Sequence, residues 1–208
     1  MPSKSDVTGI VLAGGQGRRM GGVDKGLVEL DGMPLVAHVI ARLAPQVATL
    51  VVNANRNATR YAAFGYPVVP DALRGYAGPL AGLHAGMTAA TTPFVVTAPC
   101  DSPYLPADLV ARLAAAAAAA PGMRGADLAV AKTLDQPHPV FALVRRELLP
   151  HLDAFLAGGG RKIDAWYSTL EVVEVGFDDE AEAFRNFNTR EELAAGSQGA
   201  LPPEGARS

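Results

Sequence analysis

The stretch Gly9–Leu30, GIVLAGGQGRRMGGVDKGLVEL, decides how the rest of the chain is read. Its first residues continue an apolar, β-branched run, Val7 to Ala13, which reads as a buried strand stopped by glycine. A loop follows that combines Gly14, Gly15 and Gly17 with Arg18, Arg19 and Lys25. Glycines let backbone N–H groups approach a phosphate closely, and the cations add matching charge. Two familiar phosphate loops do not fit. A P-loop needs lysine directly after glycine and before Ser or Thr, whereas Lys25 stands between Asp24 and Gly26. The dinucleotide fingerprint fails at Met20, where its last glycine belongs, and the second strand ends at Asn53 rather than at an acid.

Further along, apolar residues Leu35, Val36, Val39, Ile40 and Leu43 mark a helix over 34–43, with Pro34 near its first turn. Strands are expected at 48–52, within PVVPDA, at 93–98, 128–132 and 139–144, and in the alternating LEVVEV. Helices are expected at 57–64, from YAGPLAGLHAGM onward, at 106–120, 145–155 and 162–168. The alanine run Ala114 to Ala120 reads as an exposed, lightly packed part of its helix. Thr189 and Glu192 form a capping-box pattern for a last helix. Residues 1–195 read as one domain and 196–208 as a disordered tail.

Alternating strands and helices predict an α/β, Rossmann-like three-layer α/β/α fold with a mostly parallel central sheet. In such folds ligands bind at the carboxyl ends of strands, near a switch point. Three polar segments fall there: AGGQGRRMGGVDK, NANRN and PCDSP. They are expected to serve one site.

Composition narrows the function. The 208 residues carry a net charge of −3, which gives no basic face for nucleic acid. Cys100 is the single cysteine, so no disulfide can form within the chain and a cytoplasmic location fits. No run approaches the ~20 apolar residues of a membrane span. The four histidines show no metal-ligand spacing and read as structural or peripheral. Cys100 reads as a small buried hydrophobe. Asp101, after the apolar run FVVTAPC, is a candidate ligand for a divalent cation, because a carboxylate there is costly unless it meets positive charge. An aspartate before Pro103 can equally cap a turn, and the residues alone leave both roles open.

LAGGQGRRMGGVDKGL resembles the signature of nucleotidyltransferases with a Rossmann-like fold, and more narrowly of the molybdenum cofactor guanylyltransferases (MobA type). The resemblance continues through NANRN, PDALRGYAGPLAGL, PCDSPYLP, QPHPVFAL, GRKIDAWY and FRNFNTREEL, seven motifs in order between Gly9 and Leu193. The chain departs from the family at Gly17, where serine is frequent. The resemblance implies transfer of GMP from GTP to molybdenum-molybdopterin with release of pyrophosphate. It implies Mg2+ on Asp101, with Arg19, Lys25 and Asp101 as the catalytic set. GTP would be held by Leu12, Ala13, Gly14, Gly15, Lys25, Asn53, Asp71, Gly78 and Asp101. Molybdopterin would meet Gly22, Arg161, Lys162, Asn186 and Asn188. For Asn53, Asp71, Asn186 and Asn188, turn and cap roles remain the alternative, and Trp166 fits the core better than a stacking role. Transient partners would be proteins that deliver the cofactor or mature molybdoenzymes. Cytidylyl relatives tend to carry LAAG and GDQP where this chain has LAGG and PCDSP. Sugar-phosphate nucleotidyltransferases are usually longer. A GTP-binding protein without turnover would have no use for Arg19, Lys25 and Asp101 together.

Overall fold

The computed structural model describes residues 2–14, 23–72, 78–120 and 125–187. Seven strands form the central sheet, in the order β5-β4-β1-β6-β8-β7-β9. They are β1 (Val7–Leu12), β4 (Thr49–Asn53), β5 (Val68–Val69), β6 (Phe94–Pro99), β7 (Leu128–Thr133), β8 (Gln136–Arg145) and β9 (Val172–Gly176). β1 pairs in parallel with β4 and β6, β4 with β5, and β7 with β9. β8 runs antiparallel to both β6 and β7, so the sheet is mostly parallel, as expected.

Helices cover both faces because the strands are apolar on both. On β1, Val7 and Val11 face a cluster completed by Val36, Val39 and Leu43 of α1 (Leu35–Leu43) and by Leu109 and Leu113 of α4 (Leu109–Ala119). Ile10 of the same strand faces the opposite cluster, with Leu80, Leu83 and Met87 of α3 (Pro79–Ala89), Leu152 and Leu156 of α5 (Leu149–Ala157), and Trp166 of α6 (Ile163–Tyr167). This alternation is the period of a strand buried on both faces. Trp166 is fully buried and donates from Nε1 to His151 Nδ1 at 3.1 Å, which settles it in the core.

The alanine run differs from its expectation. Ala114 and Ala117 are buried, 2% and 4% exposed, because small side chains let α4 approach β7 and β8 closely. Ala118 and Ala119 are exposed. A two-stranded hairpin, β2 (Glu29–Leu30) with β3 (Met33–Pro34), precedes α1. Its turn holds Asp31 at φ 52 and Gly32 at φ 76, a left-handed pair that Asp-Gly adopts readily. No helix among the described residues is long and apolar enough to cross a membrane. The expected capping box at Thr189–Glu192 and the tail lie outside the described residues.

Candidate active site

Three strand ends build the site. Leu12, the last residue of β1, lies between Asn53 of β4 and Pro99 of β6 in the parallel register. Past the strands the ladder continues, with Ala13 N donating to Asn53 O at 2.8 Å and Cys100 N to Leu12 O at 3.1 Å. The chain passes from β1 outward to β4 and β5, then returns to place β6 on the other side of β1. The three polar segments therefore emerge together at the switch point of the sheet, where α/β folds bind ligands.

On the β6 side, Lys25 Nζ stands 3.3 Å from Asp101 Oδ2, although the residues are 76 positions apart. Their side chains are 26% and 13% exposed, so the pair is shielded but open to solvent. Asp24 turns the other way, towards α2 (Ala58–Ala62). Its Oδ1 accepts from the Tyr61 hydroxyl at 2.5 Å, and its Oδ2 from Asn57 Nδ2 at 2.8 Å. Cys100 lies beneath, a buried free thiol. Burial, and then the charges of Asp101 and Asp24, push its pKa far above the usual thiol range. A thiol held protonated is a small hydrophobe, as its sequence context suggested, and not a nucleophile.

On the β4 side, Asn53 is only 2% exposed. Its Nδ2 donates to Val69 O at 3.1 Å and to Asp71 Oδ1 at 2.9 Å, which uses both amide hydrogens. Asn55 closes the group: its Nδ2 donates to Asp71 Oδ2 at 2.8 Å, and its Oδ1 accepts from the Asp71 backbone N–H at 2.8 Å. Asp71 is thus fixed through both oxygens and its own amide. Gly14 fits against this group. A Cβ there would lie 3.0 Å from both Asn53 Oδ1 and Asn55 Nδ2. Gly78 caps α3 at φ 137, a backbone angle open to glycine, and Pro79 opens the helix.

The C-terminal motif reaches the same edge. Phe187 N donates to the Asp101 carbonyl at 2.9 Å, and Ser102 Oγ donates to Asn186 Oδ1 at 2.6 Å. Phe187 is anchored in a small cluster with Leu30 and Leu35 and meets Tyr104 edge-on, ring centroids 5.8 Å apart. Asn186 is therefore brought beside Asp101. Arg161 and Lys162 are exposed on the connection between α5 and α6, where Arg161 Nη1 donates to the carbonyls of Leu156 and Gly160 at 3.2 and 2.6 Å. Leu12, Ala13, Gly14, Lys25, Asn53, Asp71, Gly78, Asp101 and Asn186 line the carboxyl edge of the sheet or the segments leading from it. Gly15, Arg19, Gly22 and Asn188 lie outside the described residues.

The sequence reading did not single out Asn55, Asn57 or Tyr61. A signal was present: Asn55 and Asn57 belong to the polar segment NANRN at the end of β4. The histidines serve as partners within the fold. His38 bonds Leu30 O, His84 bonds Asp153, and His138 stacks on Phe184 with ring centroids 4.8 Å apart.

No group of three His, Cys, Asp or Glu among the described residues could hold a metal alone. The residues present still fit magnesium, which binds through one or two carboxylates together with substrate phosphates and water. Asp101 is such a carboxylate, and in this structure it already faces a cation, the Lys25 ammonium.

Residues 9–172 match the MobA-like NTP transferase domain. The chain is 52% identical over 200 residues to a protein of Cupriavidus taiwanensis described as molybdenum cofactor guanylyltransferase, covering 94% of this chain and 98% of that one. It is 54% identical over 198 residues to a protein of Burkholderia vietnamiensis with the same description, covering 91% and 94%. Its fold is similar to the crystal structure of molybdopterin-guanine dinucleotide biosynthesis protein A from Archaeoglobus fulgidus, with a TM-score of 0.73 and 25% identity over 92% of this chain and 97% of that one. The family model spans most of the chain and these bacterial relatives exceed half identity over nearly its full length, so the chain belongs to the MobA-like NTP transferase family.

Proposed function

We propose that the protein transfers GMP from GTP to molybdenum-molybdopterin in the cytoplasm. A bond forms between the terminal phosphate oxygen of the pterin and the α-phosphorus of GTP. The bond from the α-phosphorus to the bridging oxygen breaks, and pyrophosphate leaves. The observation that carries this reading is the Lys25–Asp101 pair, two residues distant in sequence that meet at the switch point beside the glycine-rich loop. The names of the relatives above half identity support the choice of guanine and pterin.

The attacking phosphate is already ionised at neutral pH, so the site needs no strong base. It needs positioning and charge neutralisation. Asp101 would hold the magnesium ion, with its backbone carbonyl bonded by Phe187 N and its carboxylate beside the Lys25 ammonium. Bound there, the ion supplies Lewis-acid neutralisation of phosphate oxygens. Lys25 takes up phosphate charge, and Arg19 the charge passing to pyrophosphate. Asp71, held rigid by Asn53 and Asn55, and Gly78 at the start of α3 receive the nucleoside. Asn186 and Asn188, with Gly22, Arg161 and Lys162, would bind the molybdopterin.

The test supplies molybdenum-molybdopterin, Mg2+ and equal GTP, CTP and ATP, then identifies the product by mass spectrometry. A guanine dinucleotide is expected. A cytosine product would overturn the base assignment, and no dinucleotide at all would overturn the reaction.

A further inference from the structure

Tyr61 has no place in the chemistry described so far, and the inference about it rests on the reading of Lys25 as a phosphate-binding group. The side chain is fully buried. A buried phenol needs a partner, and the partner is Asp24 Oδ1 at 2.5 Å. Asn57, one turn earlier and in the left-handed conformation at φ 53, donates to the other carboxylate oxygen at 2.8 Å. On the far side of Lys25, Gly26 rests on the same hydroxyl. A Cβ at Gly26 would lie 2.6 Å from Tyr61 Oη and 3.1 Å from Cys100 Sγ. Both residues that flank Lys25 are therefore seated on one buried oxygen atom.

We propose that Tyr61 is a positioning residue for nucleotide transfer: its hydroxyl, acting through Asp24 and Gly26, fixes the backbone on either side of Lys25 and so aims the ammonium at Asp101 and the nucleotide phosphates. Lysine carries a flexible four-carbon stem, and its head can be placed only as well as its backbone is. The carboxylate of Asp24 also needs restraint. Left free beside a phosphate site, it would repel the nucleotide and compete with Asp101 for the neighbouring ammonium. With Tyr61 and Asn57 on its two oxygens, it is directed towards α2 instead. Burial, with help from the nearby negative charges, raises the tyrosine pKa far above its usual value, so the hydroxyl remains a donor at any working pH.

The experiment compares Tyr61→Phe, Asp24→Ala, their double variant and Lys25→Ala in steady-state transfer, varying GTP and acceptor separately. Loss of a charge-assisted hydrogen bond is expected to raise KM for GTP about tenfold in Tyr61→Phe, with acceptor KM changed less than about twofold. On the Asp24→Ala background, Tyr61→Phe is expected to add less than about a further twofold. A tenfold effect that persists there, or a lowered melting midpoint with KM unmoved, would mean that Tyr61 merely packs. Lys25→Ala separates the two readings. If it leaves KM for GTP unchanged, the phosphate role of Lys25 fails. If it raises KM while Tyr61→Phe does not, only the role of Tyr61 fails. Asn57→Ala repeats the test without touching buried volume, and a smaller rise in KM for GTP is expected. No rise there would count against the clamp on Asp24.

Discussion

Two glycines four residues apart on α3 give a matched pair of perturbations. A Cβ on Gly82 would overlap Asn53 Oδ1 and lie 2.7 Å from Leu12 Cδ2. A Cβ on Gly86 would overlap Ile10 Cδ1 and lie 2.6 Å from its Cγ1 and 2.8 Å from its Cγ2. Both replacements by alanine gain about 1 kcal/mol of helix propensity. Both lose about 1–3 kcal/mol to overpacking, since the atoms met belong to the buried side chains of Asn53 and Ile10 and to half-buried Leu12. Gly82→Ala also displaces the Asn53 amide, whose two bonds to Val69 O and Asp71 Oδ1 are worth about 1 kcal/mol each. The net loss is then about 2–4 kcal/mol for Gly82→Ala and about 0–2 kcal/mol for Gly86→Ala. At roughly 2–4 °C per kcal/mol for a domain of this size, central values correspond to falls in Tm of about 6–12 °C and about 2–4 °C. The functional outcomes should separate more sharply than the stabilities. Gly82→Ala disturbs Asn53 and, through it, Asp71, so KM for GTP is expected to rise about tenfold. Gly86→Ala presses first on Ile10, and KM is expected to stay within about twofold. Thermal unfolding and steady-state transfer on the two proteins decide the matter. Equal changes of KM in both variants, or a Gly82→Ala protein that keeps wild-type Tm and KM, would refute the reasoning.

Other perturbations have outcomes as definite. Asp101→Asn, assayed by pyrophosphate release, is expected to lose about a hundredfold or more of transfer while the protein stays folded, because the amide cannot neutralise a cation. Asn53→Asp sets an acceptor against Val69 O and the Asp71 carboxylate, and urea titration is expected to show a loss of about 3–5 kcal/mol that shrinks at low pH, where the new carboxyl is protonated. Burial lowers the pKa of His138 below its ordinary 6.5, so the folded state favours the neutral ring. Its contribution to stability is present in full above that value and is lost as pH falls through the depressed pKa. Tm measured between pH 7 and 5 should fall less steeply in His138→Gln, which keeps a partner for Thr133 Oγ1.

Much of this was legible beforehand because the deciding patterns are local. β1, β4 and β6 are short apolar runs that end in polar segments, and those segments do meet at one edge. α1 shows its buried face at Leu35, Val36, Val39, Ile40 and Leu43, as its spacing required. What escaped the reading depends on partners distant in sequence. The direction of β8 is set by its hairpin with β7, where Leu134 takes φ 50, and periodicity does not report direction. The burial of Ala114 and Ala117 follows from the approach of β7, which no property of alanine announces. The β2–β3 hairpin did carry a local sign, Asp31-Gly32, in strands of two residues each. At the site, Lys25 and Asp101 stood out by type and motif, whereas Asn55, Asn57 and Tyr61 act through other side chains and show their purpose only once β4, α2 and the glycine-rich segment are assembled.

The place of β8 has a consequence during synthesis. β6, the strand that leads into Asp101, has β1 on one side and β8 on the other. It is bonded to β8 through Leu143, Val144 and Arg145. The ribosome makes those residues about 46 positions after Pro99, a delay of roughly 2–9 s at typical elongation rates. Throughout that interval the nascent chain presents the apolar edge Phe94–Pro99 with its N–H and C=O groups unpaired. Chains stalled or truncated between residues 100 and 140 are therefore expected to aggregate or be held by chaperones, and release to soluble protein should begin only when the length passes Arg145.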